Sequence, residues 1–463
     1  MSDRNKKEKA IQCLEMVTKI IYLCFAVSTF HSFLYVSPIQ PVLVKLTLVS
    51  GTALILLRLT DIRNYRRVPG ILLMVLFCIS FAVTSVMNRQ YGMTENMKWI
   101  AWTGIQFFAL YACSVRRTTE EYGKEFRLLS HLIIGFSMVA ASVSLWMLLT
   151  FYSNMITTPE GETVISGFKW GRLWGVYTDP NYGSVFCVIA IVLSVLFFIQ
   201  KKGKRRIFYG ISILLNFLYI VFSDSRTGKL ALIFSLGTFL YLWMIRKWSG
   251  KRAIRYLLPF FLVLCLGAGL YGSTQVIKSE YNKRLVPVLK EMSGKQETQT
   301  KKAGVGRAEE LEDNVSNGRF QLWESGVEVW KESPVYGTGY STFTAFAKEH
   351  VPDTYAVNNT QGDYTSLHNN FLNILVFQGI LGFVLFLFLA GRLAACVLPG
   401  LYRAQGEVYL ELAAMLAVIS AVGIAMLFLL EGLYTNSPGS FVLWTFAGYM
   451  VHASCKIRSE RIE

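Results

Sequence analysis

The chain has 463 residues, 53% of them hydrophobic and 14% aromatic, and 46 Lys and Arg against 30 Asp and Glu leave a formal charge of +16. A mean hydropathy of +0.40 is too high for a soluble domain of this length and makes lipid the expected solvent. The surplus basic residues sit in short loops between apolar runs, which is the pattern of membrane topology and excludes nucleic acid as the partner they serve.

Apolar runs long enough to span a bilayer fall at 16–36, 41–57, 70–87, 98–115, 128–152, 182–200, 206–222, 227–245, 254–274, 367–391, 407–430 and 437–454. The expected fold is all-α and polytopic, with about twelve transmembrane helices. The first run is read as a retained helix, since it is long enough to span and no small-residue cleavage site follows it. Basic clusters at Arg4 to Lys9, Arg58 to Arg67, Arg116 to Arg127, Lys201 to Arg206, Arg246 to Arg255, Arg392 with Arg403, and Lys456 to Arg461 recur in alternate connections. Cations are retained inside during insertion, so these connections and both termini are expected to be cytoplasmic. The organisation that follows is a cytoplasmic tail at 1–15, helices one to nine over 16–275, an extracytoplasmic loop at 276–366, helices ten to twelve over 367–454, and a second cytoplasmic tail at 455–463. None of the eight cysteines lies in a long loop, which argues against a disulfide framework or a CxxC metal site.

The other face carries short hairpins near 87–97, 224–227 and 431–437, a loop at 151–181, and the long loop at 271–367. Functional residues are sought there. Within the long loop, 293–315 is rich in Lys, Glu, Gln and Gly and reads as mobile. Phe320, Trp323, Val327 and Trp330 then repeat at helical spacing, giving an apolar face suited to the bilayer surface, with Arg319 at headgroup level.

Four outward segments carry residues that need explaining. Arg172 precedes Asp179, Pro180 and Asn181, a turn whose Asp or Asn can cap the sixth span. Arg226 stands in a hairpin of a few residues, on the side where cations are disfavoured; it either snorkels to lipid phosphate or pairs with Asp224, or it presents its fork to a bound phosphate. Arg319 opens the amphipathic segment, which runs on to Pro334 and the Gly337-Thr338-Gly339 loop; as a phosphate cradle such a loop is a weak signal. His368 is followed by Asn369, Asn370 and Asn373, a polar group at the mouth of the tenth span that suits either a hydrogen-bonded structural imidazole or a general base. There is no DxD pair, HExxH, P-loop or Cys/His cluster, so a diphosphate here would be neutralised by arginine and not by a carboxylate-held metal.

Taken together, Arg172 with Gly175 and Asp179-Pro180-Asn181, Ser225-Arg226-Thr227-Gly228, Gly318-Arg319 with Pro334 through Gly339, and His368-Asn369-Asn370 with Asn373, Gly379 and Gly382 resemble the O-antigen ligase and O-antigen polymerase superfamily. The resemblance covers roughly 172–385. It implies a GT-C-like bacterial inner-membrane glycosyltransferase that takes a glycan from undecaprenyl diphosphate on the extracytoplasmic face, with no cofactor, metal or nucleotide sugar. It also implies that Arg226 and Arg319 bind the donor diphosphate, that Arg172 is a weaker diphosphate or glycan contact, and that His368 deprotonates the acceptor hydroxyl. Asp179, Asn181, Asn369 and Asn370 would support them. A polymerase building O-antigen, capsule or exopolysaccharide is the first expectation, a ligase passing finished chains to lipid A-core the second, and a lipid-linked oligosaccharide flippase or transporter the third. A separate flippase and a chain-length regulator are the partners that the resemblance suggests.

Overall fold

The computed structural model describes residues 2–158, 161–248, 251–293, 304–306, 318–360 and 362–459. The 293–315 stretch read as mobile therefore lies mostly outside the described residues. Among the described residues the fold is all-α apart from one small sheet, and every one of the twelve predicted segments is helical. In chain order the helices are α1 (Ser2–Phe30), α2 (Ile39–Leu59), α3 (Ile71–Met87), α4 (Met93–Ile105, continued by a π turn over Gln106–Tyr111) and α5 (Thr119–Leu149). They continue with α6 (Pro180–Gln200), α7 (Lys204–Ser223), α8 (Arg226–Lys247) and α9 (Arg252–Glu280). After a short helix at Val286–Ser293, the long loop contributes α10 (Arg319–Glu332) and α11 (Phe343–His350), and then come α12 (Asn370–Arg403), α13 (Gly406–Met426) and α14 (Pro438–Ser459).

Among the described residues nine of these are long and apolar enough to cross a membrane, fewer than the twelve expected. The physical reason differs from helix to helix. α3 is apolar but only 17 residues long, about 26 Å at 1.5 Å per residue. α14 is long enough, yet protein buries nearly all of it from Pro438 to Ser454, so it carries Ser440, Thr445 and His452 in place of a lipid-facing apolar surface. α6 is the most enclosed of the nine spans, with 78% of its apolar window buried, whereas the α9 span, with 11%, is left facing outward.

The loop at 151–181 is not irregular. It folds as an antiparallel sheet in the order β1 (Ser153–Thr157), β2 (Thr163–Lys169), β3 (Arg172–Gly175). Lys169 pairs with Arg172 across Trp170 and Gly171, whose φ values of 52° and 67° are the double positive φ that a two-residue hairpin with right-handed strand twist requires. This turn sets Arg172 as the first residue of β3. The sheet is tied to the bundle where Val176 N–H donates to Ser144 Oγ of α5 (3.1 Å) and accepts, through its carbonyl, from Ser32 N–H (2.7 Å).

α12 is broken at Gly379 (φ 63°, ψ −169°). The segment 334–339 fills the break with backbone bonds. Thr338 and Gly339 N–H donate to the carbonyls of Val376 and Phe377 (3.0 and 2.9 Å), while Ile380 and Leu381 N–H donate to the carbonyls of Pro334 and Val335 (2.8 and 3.3 Å). Irregular backbone at membrane depth is tolerated only where protein satisfies it, and here one loop meets both sides of the gap. The Gly337-Thr338-Gly339 loop, weighed above as a phosphate cradle, therefore has a packing role, which uses the Thr338 and Gly339 amides such a cradle would need.

Candidate active site

Four helices begin at the sequence motifs singled out above: α6 after Asp179, α8 after Ser225, α10 after Gly318 and α12 after Asn369. Helix N-termini present unpaired N–H groups and a positive dipole end, which favour an anion. Asp179 caps α6 by accepting from Asn181 N–H (2.6 Å) and Tyr182 N–H (3.3 Å). Ser225 caps α8 by accepting from Gly228 N–H (3.0 Å). Asn369 caps α12 by accepting from Phe371 and Leu372 N–H, both at 3.1 Å.

Side chains join α6 to α8. Asn181 Oδ1 accepts from Arg172 Nη2 (3.0 Å) and from Ser225 Oγ (2.9 Å), and Arg172 Nε donates to the Ser223 carbonyl (2.9 Å). A half-buried guanidinium on β3 is thus fixed against the start of the helix that carries Arg226. Arg226 itself is exposed at the first position of α8. The neighbouring carboxylate of Asp224, whose backbone is left-handed (φ 49°), accepts from Lys229 (2.6 Å) and from Lys278 of α9 (3.0 Å). Burial alone would raise the Asp224 pKa, but the two ammonium groups hold it down to about 2. Lys278 was not among the residues the sequence nominated; it lies in the helix that continues past the ninth apolar run, and nothing in sequence pairs it with Asp224, 54 positions away.

α10 is amphipathic as expected. Leu322, Ser325, Gly326 and Val329 form its buried face, while Phe320 is 68% exposed and Val327 39% exposed on the other. The Trp323 indole N–H donates to the Leu367 carbonyl (3.0 Å), which ties α10 to the residue before His368. Arg319, at the first turn, lies over the Phe428 ring, 5.6 Å from its centroid.

His368 has φ 48°, a left-handed backbone that is uncommon outside glycine and tends to mark functional sites. Its ring meets the edge of Tyr364 (6.0 Å between centroids). The imidazole pKa is lowered below its ordinary value, first by burial and then by the Arg319 charge, with the Asp179 carboxylate opposing. Arg319 and Asp179 are therefore the charges that act on His368, which brings the α6, α10 and α12 starts into one electrostatic site. Asn370 is fully buried with neither amide atom hydrogen-bonded among the described residues, and Asn373 Oδ1 accepts from Leu367 N–H (2.9 Å).

The structure adds the loop between α13 and α14 as a further wall. Tyr182 OH donates to the Leu430 carbonyl (3.2 Å), and the adjoining Glu431 is buried, held by Ser437 Oγ and pushed up to about 8 by that burial. Glu431 carries no chemical signal in sequence, where a lone acid in a short hairpin reads as solvated.

Residues 211–387 match the O-antigen ligase family. An uncharacterised protein of Haemophilus influenzae is 33% identical over 72 residues, which is 15% of this chain and 18% of that protein. The matched stretch runs through Arg226, Arg319 and His368 and stops short of Arg172 and Asp179, which the structure nonetheless ties to it. Residues 211–387 are thus similar to the O-antigen ligase family, a match consistent with the O-antigen ligase and O-antigen polymerase superfamily.

Proposed function

We propose that this protein is a membrane glycosyltransferase that joins undecaprenyl-diphosphate-linked repeat units into a surface polysaccharide. The observation that carries the reading is His368, held in a left-handed backbone at the start of a broken helix, with Arg319 and Asp179 as the charges that tune it. Arg226 and Arg319, with Arg172 behind them, hold the donor diphosphate. His368, neutral near pH 7, takes the proton from an acceptor sugar hydroxyl. The acceptor oxygen bonds to the donor anomeric carbon, the bond from that carbon to the diphosphate breaks, and the anionic lipid diphosphate leaves against the arginines and helix N-termini. A polymerase uses a hydroxyl of another lipid-linked unit; a ligase uses the same steps with a final acceptor such as lipid A-core. The chain sits in a bacterial inner membrane with both termini cytoplasmic, works beside a flippase and a chain-length regulator, and does its chemistry on the extracytoplasmic face.

The charges inside the spans favour transfer over translocation. Lys19 is locked between Glu15 and Glu125, Lys229 is bound to Asp224 at a helix end, and Lys45 is exposed, so none of the three offers a charge to a passing diphosphate. The test is His368→Ala and Arg226→Ala, each at wild-type membrane levels, with glycan length and lipid-linked intermediates followed by gel. Accumulation of single repeat units supports polymerisation, and accumulation of long unattached lipid-linked chains supports ligation. Wild-type glycan from both variants overturns the transferase reading in favour of a transporter.

A further inference from the structure

A second charged site lies at the other end of α5. Glu125 stands in the first two turns of this helix and the sheet bearing Arg172 follows its last, about 36 Å farther along. Here Lys19 Nζ lies 2.7 Å from both Glu15 and Glu125, Arg58 Nη2 lies 2.9 Å from Glu15, and Arg117 Nη2 lies 2.9 Å from Glu125. None of these five residues is more than 6% exposed.

Three cations face two carboxylates, so the buried network carries one positive charge too many. An uncompensated charge in a protein interior costs several kcal/mol, and arginine does not escape that cost by losing its proton. Arg58 is solvated in part by the carbonyls of Phe108 and Ala109 (2.5 and 3.1 Å), which carry no net charge. Arg117 Nε and Nη1 are buried and have no hydrogen-bond acceptor among the described residues; Nη1 is 3.5 Å from Glu15, without a hydrogen bond.

A cavity of about 340 Å³ opens on this network, with Glu15 and Arg117 in its wall. Its other charged lining is Lys7, Arg63 and Arg116 against Glu8 and Asp61, and Asp61 is already engaged by Arg116 (2.5 and 3.1 Å). Ser114 in the same wall accepts from Asn64 Nδ2 (2.9 Å), which leaves its own hydrogen to donate.

We propose that this cavity binds a phosphate-type oxyanion, either free or as the headgroup of an anionic lipid, and that the anion neutralises the surplus charge carried by Arg117. Guanidinium forks and a hydroxyl donor match tetrahedral oxygens better than they match a spherical ion. The site is independent of the glycosyl-transfer reading, since it shares no residue with it.

The test uses the full chain, purified in a neutral detergent and in nanodiscs of phosphatidylcholine with or without phosphatidylglycerol. Thermal stability is measured against inorganic phosphate, with potassium chloride of matched ionic strength as control. The wild type is expected to show saturable stabilisation by phosphate, by phosphatidylglycerol, or by both, weakened several-fold in Arg63→Gln and strengthened in Glu8→Gln. Neither variant touches the buried pairs, so both should fold. Stabilisation by phosphatidylglycerol alone identifies a headgroup site, and stabilisation by phosphate in detergent identifies a free-anion site. If chloride does as well as phosphate and phosphatidylglycerol adds nothing, or if Arg63→Gln and Glu8→Gln respond like the wild type, the proposal is overturned.

Discussion

Gly337 and Gly379 meet backbone to backbone: a Cβ on Gly337 would lie 2.5 Å from Gly379 N, and one on Gly379 would lie 2.2 Å from the Val335 carbonyl oxygen. Both also have positive φ, at 71° and 63°. Either alanine substitution therefore carries a left-handed penalty of about 1–3 kcal/mol, and on top of it pushes the loop out of the break that it fills. We expect Gly337→Ala and Gly379→Ala to lower the melting temperature of the detergent-purified protein by several degrees or to prevent its accumulation. Gly391→Ala, in the same helix with open space around the added methyl, should behave as wild type. Equal melting temperatures for all three would show that the loop does not support the broken helix.

The electrostatics of His368 give a prediction with a sign. Its pKa is lowered, by burial and by Arg319, so the imidazole is neutral at pH 7 and the acid limb of glycosyl transfer should lie below the ordinary histidine value. Removing the Arg319 charge in Arg319→Gln relieves one depressing influence and should move that limb to higher pH. Removing the Asp179 charge in Asp179→Asn takes away the opposing influence and should move it lower. His368→Ala should lower turnover by about 10²–10⁴, the usual scale for a general base. A pH profile of kcat/KM in the three variants checks this, and shifts in the same direction for both charge variants would exclude these two residues as the charges that tune His368.

Asn181 is the joint between Arg172 and the α8 cap, and its two substitutions should separate structure from charge. Asn181→Ala leaves Arg172 Nη2 and Ser225 without their shared acceptor, so donor affinity and turnover should both fall, by roughly tenfold for a lost hydrogen bond to a charged group. Asn181→Asp keeps both acceptor bonds and adds a negative charge beside the helix starts. It should raise KM for the diphosphate donor more than it lowers kcat. If the aspartate variant matches wild type in KM, no anion is bound near Arg172.

Much of this was legible in the sequence because the signals were local. Apolar runs mark all twelve helices, and Asp179, Ser225 and Asn369 sit where capping residues belong. The amphipathic period from Phe320 to Trp330 marks α10 as a helix, with Phe320 and Val327 outward but Trp323 and Trp330 packed against the core. What escaped was set by contacts between distant residues. The sheet was missed because its hairpin turns on Trp170 and Gly171, not on the Asn-Gly or Asp-Gly pair that signals such a turn. The role of Gly337 depends on Gly379, 42 positions later, and the bond from Lys19 to Glu125 spans 106 positions. α14 is the one of the twelve whose packing could not be foreseen, since protein covers nearly all of it from Pro438 to Ser454.

Glu431 supplies a prediction that depends on stability and not on activity. Burial pushes its carboxyl up to about 8, with Ser437 giving partial relief. An unfolded glutamate titrates near 4.3, so between that pH and about 8 the folded protein holds a proton that the unfolded chain has lost. Stability from this group is fully present below the unfolded value and declines as pH rises through the window, levelling off above about 8. Glu431→Gln keeps the shape and a donor but cannot ionise. Its stability should therefore be flat where the wild type falls, and the two curves should diverge by on the order of a few kcal/mol between pH 5 and pH 9. Glu431 also adjoins Leu430, whose carbonyl accepts from Tyr182 at the start of α6, so ionisation at high pH should loosen that contact and expose the α6 start. Hydrogen exchange at Tyr182 and Leu430 measured at both pH values checks the link. A protection factor, taken relative to the base-catalysed intrinsic rate, that falls at pH 9 in the wild type but not in Glu431→Gln assigns the loosening to this carboxyl, and equal falls in both would place its cause elsewhere.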